Sequence, residues 1–170
     1  MLDTLYTVCG EKRKIRWACA GPSIRRKRMK TFLYEHTVQY YETDKMDCVH
    51  HSNYIRWFEE ARTFLLDKLG FGYFKMEESG VMSPVLRVEA EYKTMARFGD
   101  TAEIEVSAEN YPGTRISCVY IIRDKATAAL RCSGKTHHCF ITGTGRPISL
   151  KKHLPEMDAL IRSYMNDMLS

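Results

Sequence analysis

The chain has 170 residues, 44% of them hydrophobic, with six cysteines and a formal net charge of +5. That length suits one domain, and no apolar run reaches the roughly 18 residues that a membrane-spanning helix requires. No apolar leader opens the chain and no Cys-x-x-Cys pair occurs, so the expectation is a cytoplasmic protein with reduced thiols rather than a secreted disulfide scaffold.

The charge is unevenly placed. Residues 1–30 hold nine Lys/Arg and two Asp/Glu, a net of +7, whereas residues 31–170 hold seventeen and nineteen, a net of −2. The division is therefore a basic N-terminal extension over 1–30, read as a flexible tail, and a folded domain over 31–170. A basic arm can touch nucleic acid or an anionic membrane, but the nearly neutral body gives no reason to expect a nucleic-acid partner. Met29 is a plausible start for the folded part.

In chain order, residues 34–41, "YEHTVQYY", are aromatic and β-branched and predict a strand. A polar loop over 42–51 follows. From Ser52 to Leu69 the apolar residues Tyr54, Phe58, Ala61, Leu65 and Leu69 recur at helical spacing. Ser52 can cap that helix and Gly70 can stop it, while Glu59, Glu60, Arg62, Asp67 and Lys68 lie mostly off its apolar stripe. "FGYFKMEESG" predicts a short helix or turn. Strand-like runs then cover 81–94, 101–109, 115–124 and 126–142, and Pro155 opens a terminal helix. Five strands with one substantial helix to cover them predict an α+β fold with a mostly antiparallel sheet. Such a sheet leaves an edge and part of a face unsatisfied, which predicts a homodimer or a dimer of dimers.

The chemistry concentrates in residues 40–60, "YYETDKMDCVHHSNYIRWFEE". The first N–H groups of a helix lack internal partners and carry partial positive charge, so they can hold a carbonyl oxygen that becomes an oxyanion. Asp44, eight residues before Ser52, can fold back to the helix mouth and either attack that carbonyl or deprotonate a water. Taken alone, Asp44 reads more readily as a turn-forming residue, and Asp47 reads as a solvated loop acid. Cys48, His50 and His51, or His137, His138 and Cys139, have the residue types of a zinc site but not the spacing, so no metal is expected. Tyr54 and Trp57 suit either the core or an acyl pocket. There is no Gly-x-Ser-x-Gly motif and no glycine-rich phosphate loop.

The stretch from Tyr40 to Arg62 resembles the Tyr-x-x-Thr-Asp…Val-x-His-x-x-Tyr…Glu-x-x-Arg signature of hotdog-fold acyl-CoA thioesterases. The nearest branch is that of 4-hydroxybenzoyl-CoA thioesterase and the Tol-Pal-associated thioesterases. The similarity continues through "VEAEYKTMARFGDTAEIEV" and "THHCFITGTGRPISL" and covers about residues 32–155. It implies a five-stranded sheet wrapped around one long helix, with active sites at a dimer interface. It further implies Asp44 as the catalytic carboxylate and the backbone amide of His51 as the group that polarises the thioester carbonyl. No cofactor is called for, and the substrate is an acyl-CoA or acyl-carrier-protein thioester. Coenzyme A carries phosphates, for which Arg97 and Arg115 are candidate contacts. The family places Gly three residues after the catalytic Asp for a left-handed turn, where this chain has Asp47. The non-enzymatic alternative is an acyl-CoA-binding regulator of the same fold. A hotdog dehydratase lacks its His and acid constellation here.

Overall fold

The computed structural model describes residues 31–167, so the basic extension over 1–30 lies outside the described residues. Strand β1 (Phe32–Thr37) leads through a short 3-10 turn (Tyr40–Glu42) and a loop into the long helix α1 (His51–Lys68). A short helix α2 (Tyr73–Glu78) follows, then β2 (Val81–Met82), β3 (Val85–Tyr92), β4 (Thr101–Asn110), β5 (Arg115–Asp124), β6 (Leu130–Cys139) and β7 (Ile141–Thr142). Helices α3 (Leu150–His153) and α4 (Pro155–Asp167) close the described part. The main sheet has the order β1-β4-β5-β6-β3, and every neighbouring pair in it is antiparallel.

Apart from other shifts of one or two residues, the boundaries differ from the sequence reading mainly in these places. The first strand ends at Thr37, because Tyr40–Glu42 wind into a turn in which the Glu42 carboxylate accepts the Gln39 N–H. The runs 81–94 and 126–142 each divide in two. Pro84 has no N–H for a ladder, and β2 pairs instead with β7 as a separate two-stranded sheet. The helix begins one residue ahead of Ser52, with His50 as its cap: the imidazole Nδ1 accepts the Ser52 N–H. Arg62 is buried with its guanidinium over the Tyr73 ring at 5.3 Å, rather than facing water.

α1 lies against the sheet with Trp57, Phe58, Ala61 and Leu65 fully buried. The large side chains among these contribute about 2–3 kcal/mol each by burial. Phe58 stacks on Tyr120 of β5 at 4.4 Å. The close approach is possible because β6 offers Gly134 there. A Cβ on Gly134 would stand 2.3 Å from the Phe58 ring and 2.7 Å from the Glu89 carbonyl. Gly70, with φ +86°, ends the helix as the left-handed stop its position suggests. Val85, Leu86 and Tyr92 of edge strand β3 are about half exposed. No described helix is long and apolar enough to cross a membrane.

Candidate functional site

The loop between the 3-10 turn and α1 is a tight hairpin. Thr43 bridges Val49, the Asp44 N–H donates to the Cys48 carbonyl at 2.9 Å, and the Asp47 N–H donates to the Asp44 carbonyl at 3.0 Å. Asp47 sits at the tip with φ 57°, the left-handed backbone that Gly adopts most cheaply. Arg97, reaching across from the β3–β4 connection, compensates by donating from Nη1 to both the Asp47 carbonyl and its carboxylate. The Val49 N–H donates to the Ala96 carbonyl at 2.8 Å, tying the same two segments together.

This hairpin carries Asp44, which lines the same cavity as His51, the first residue of α1. Asp44 Oδ1 accepts the Met46 N–H at 2.8 Å and the Cys48 thiol at 3.8 Å. Its Oδ2 has no hydrogen-bond partner among the described residues. At the helix start the Ser52 N–H goes to His50 Nδ1 and the Asn53 N–H to the His50 carbonyl at 3.0 Å. The His51 N–H has no partner among the described residues, as the first position of a helix permits.

Asp44 and His51 line one cavity of about 670 Å³ together with Met46, Val49, Tyr54 and Met95. Such a volume lies in the range of small-molecule sites, and the lining combines mostly apolar surface with polar groups that include Lys93 and Thr94. Tyr92, at the end of β3, completes the wall. Its ring meets Tyr54 edge-on at 5.3 Å and its hydroxyl donates to the His51 carbonyl at 3.2 Å. Burial pushes the Tyr54 hydroxyl up to about 12, so it stays a neutral donor. Burial, with Asp44 adding to it, likewise raises the Cys48 thiol above its ordinary value, which keeps it protonated beside that carboxylate. A second groove of about 550 Å³ runs along Tyr34, Arg56, Glu59, Glu60 and Phe64 and contains no comparable pairing of a carboxylate with a helix start.

Of the residues singled out from the sequence, Asp44, His51 and Tyr54 come together here. Trp57 does not. It is fully buried and its indole Nε1–H donates to Glu42 at 2.8 Å, so it belongs to the core. Arg97 adjoins the site but is engaged with Asp47. Arg115 is exposed at the first residue of β5, where it pairs with Cys139, away from the cavity lining. His137 is spent on Ser117 and Glu89, His138 is buried against Thr136, and no group of three or more metal-ligating side chains converges among the described residues. The sequence reading missed Tyr92 and Glu42. Its one available signal for Tyr92 was an aromatic residue at the end of a strand run that mixes apolar and charged residues.

Comparison with known proteins bears on the same segment. The model of the Thioesterase-like superfamily matches residues 38–160. The Bacillus subtilis (strain 168) protein YneP, named provisionally as an acyl-CoA thioesterase, is 36% identical over 119 residues, which cover 70% of this chain and 86% of that protein. The acyl-CoA thioester hydrolase YbgC of Escherichia coli O6:H1 is 32% identical over 90 residues, 52% of this chain and 67% of that protein. Among solved structures, the DHNA-CoA thioesterase of Staphylococcus aureus superposes with a TM-score of 0.74 at 31% identity, covering 81% of this chain and 94% of that one. With its five-stranded antiparallel sheet wrapped on α1, the chain belongs to the Thioesterase-like superfamily and has the hotdog fold.

Proposed function

We propose that this protein hydrolyses acyl-CoA thioesters in the cavity at the start of α1. The observation that carries the reading is that an Asp44 oxygen and the His51 N–H, both without a partner among the described residues, belong to residues lining one largely apolar cavity. The thioester carbonyl accepts a hydrogen bond from the His51 N–H, and the helix dipole favours the negative charge that grows on that oxygen. Asp44 lies on the other side of the carbonyl. It supplies the attacking oxygen itself or takes a proton from the attacking water. Either route adds one water across the thioester and releases a free acid and a thiol. Tyr54, Met46 and Met95 enclose the acyl group, and acyl-carrier-protein thioesters present the same reacting bond. Arg115 meets a CoA phosphate only if the assembly brings it to the cavity.

The protein acts as a homo-oligomer joined through the β3 edge. Among the described residues that strand has an unpaired side, and it shows Val85 and Leu86 to solvent, surface that a second copy covers. The free thiols of Cys48, Cys118, Cys132 and Cys139 fit a reducing, cytoplasmic setting. An acyl-CoA panel with detection of released thiol tests the activity, and light scattering after gel filtration tests the assembly. Turnover that vanishes in Asp44→Ala supports the reading. Tight acyl-CoA binding without thiol release would make the protein a regulator instead.

A further inference from the structure

Glu42 lies two residues before Asp44 and is only 4% exposed. Every part of it is occupied. Oε2 accepts the Gln39 N–H at 2.7 Å and faces His36 Nε2 at 2.9 Å, and Oε1 accepts the Trp57 indole at 2.8 Å. Burial opposes ionisation of this carboxyl, but the hydrogen bonds from Gln39, His36 and Trp57 together outweigh it and hold the group below the usual glutamate range. Its main-chain carbonyl accepts two more donors, the His50 N–H at 2.9 Å and Asn53 Nδ2 at 2.8 Å.

These bonds converge from β1, the 3-10 turn, the interior of α1 and the start of α1. Their consequence is geometric. Asp44 follows Glu42 by two residues, and His51 follows His50, whose N–H the Glu42 carbonyl holds. Both reacting groups are therefore suspended from one residue. The Trp57 bond prevents Glu42 from sliding along α1, and the Asn53 bond fixes its carbonyl against the helix mouth. Reacting groups misplaced by about 1 Å can lose about a hundredfold in rate.

We propose that Glu42 is a positioning residue for thioester hydrolysis. Acting through His50, Asn53 and Trp57, it sets the gap between the Asp44 carboxylate and the His51 N–H. The proposal rests on the reading that those two groups carry the reaction.

The test uses the full chain and the acyl-CoA turned over fastest in the panel. Glu42→Gln keeps the shape but replaces one oxygen by an NH₂. With its oxygen toward Gln39 and His36, the amide NH₂ opposes the Trp57 N–H. The expected result is a fall in kcat of about 10–100-fold with KM within about twofold, because Glu42 does not line the cavity. Adding Trp57→Phe removes the opposed donor and restores kcat by about fivefold or more, a rescue that general destabilisation does not produce. Asn53→Ala, which leaves the carboxylate untouched, lowers kcat by about three- to tenfold in protein that circular dichroism shows to be folded. If Glu42→Gln does not fold, Asn53→Ala decides alone. Wild-type kcat in folded Glu42→Gln or in folded Asn53→Ala, alongside an inactive Asp44→Ala, overturns the positioning role and leaves the function standing. An active Asp44→Ala overturns both.

Discussion

Two aspartates in this fold sit in closely similar turns but differ in how fully their oxygens are engaged. Asp44 and Asp124 each accept a main-chain N–H two or three residues ahead, at 2.8 Å in both cases. Each turn contains a non-glycine residue at φ 57°, Asp47 in one and Ala128 in the other. Each segment is also braced by an arginine, Arg97 in the first and Arg131 in the second. The difference is saturation. Asp124 gives Oδ1 to the Thr127 N–H and hydroxyl and Oδ2 to Arg131 at 2.8 Å. The hydrogen bonds from Arg131 and Thr127 hold its carboxyl down at about 2. At Asp44 the arginine goes instead to Asp47, three residues on, and Oδ2 stays without a partner among the described residues. A carboxylate with both oxygens engaged stabilises a fold, whereas one with an oxygen to spare can meet a substrate.

Substitutions can break that contrast, and the largest effect belongs to the unsaturated member. Asp44→Ala should lower thioester turnover by about a thousandfold or more, with its melting temperature within a few degrees of the wild type, measured by thiol release and circular dichroism. Asp124→Ala should do the reverse. It should cost on the order of 2 kcal/mol in urea unfolding while folded protein keeps turnover within a few-fold. The pH dependence has a definite sign. Because the folded carboxyl of Asp124 lies below its unfolded value of 3.8, its contribution is complete above that value and fades as pH falls toward about 2. Unfolding curves of wild type and Asp124→Ala should therefore converge over that interval.

A smaller effect sharpens the picture of the site. Tyr92→Phe removes the hydroxyl that holds the His51 carbonyl but keeps the ring against Tyr54, and kcat should fall by about three- to tenfold. The smallest effects compare the two left-handed residues. Ala128→Gly should stabilise the protein by about 0.5–1 kcal/mol, since alanine gains nothing from that backbone. Asp47→Gly relieves the same strain but loses the exposed pairing with Arg97, so the net change should stay within about 0.5 kcal/mol.

The hairpin and helix mouth were legible in the sequence because their interactions span few residues. Asp44, His51 and Tyr54 fall within eleven consecutive positions, and helical periodicity with a terminal glycine marks the element that presents them. Tyr92 was not legible, because its hydroxyl meets a carbonyl 41 residues away in sequence. The Arg97–Asp47 contact spans 50 residues, so the sequence offers Arg97 only as a solvated loop cation or a candidate phosphate contact. Trp57 lies on α1 among pocket and core candidates alike, and only the position of Glu42 beneath it separates the two.

By itself the amino-acid sequence determined the α+β class and the strand–loop–helix unit, since periodicity, turn chemistry and capping act between near neighbours, whereas the preference for Asp44 over Asp47 came from the resemblance to hotdog-fold thioesterases. Which carboxylate would be saturated and which would keep an oxygen free was decided by the tertiary structure alone. The donors that settle the matter, Trp57, His36, Arg97 and Arg131, reach their acceptors only when separate segments are packed against each other. Hydrogen-bond saturation is a property of that packing and has no local signature in the chain.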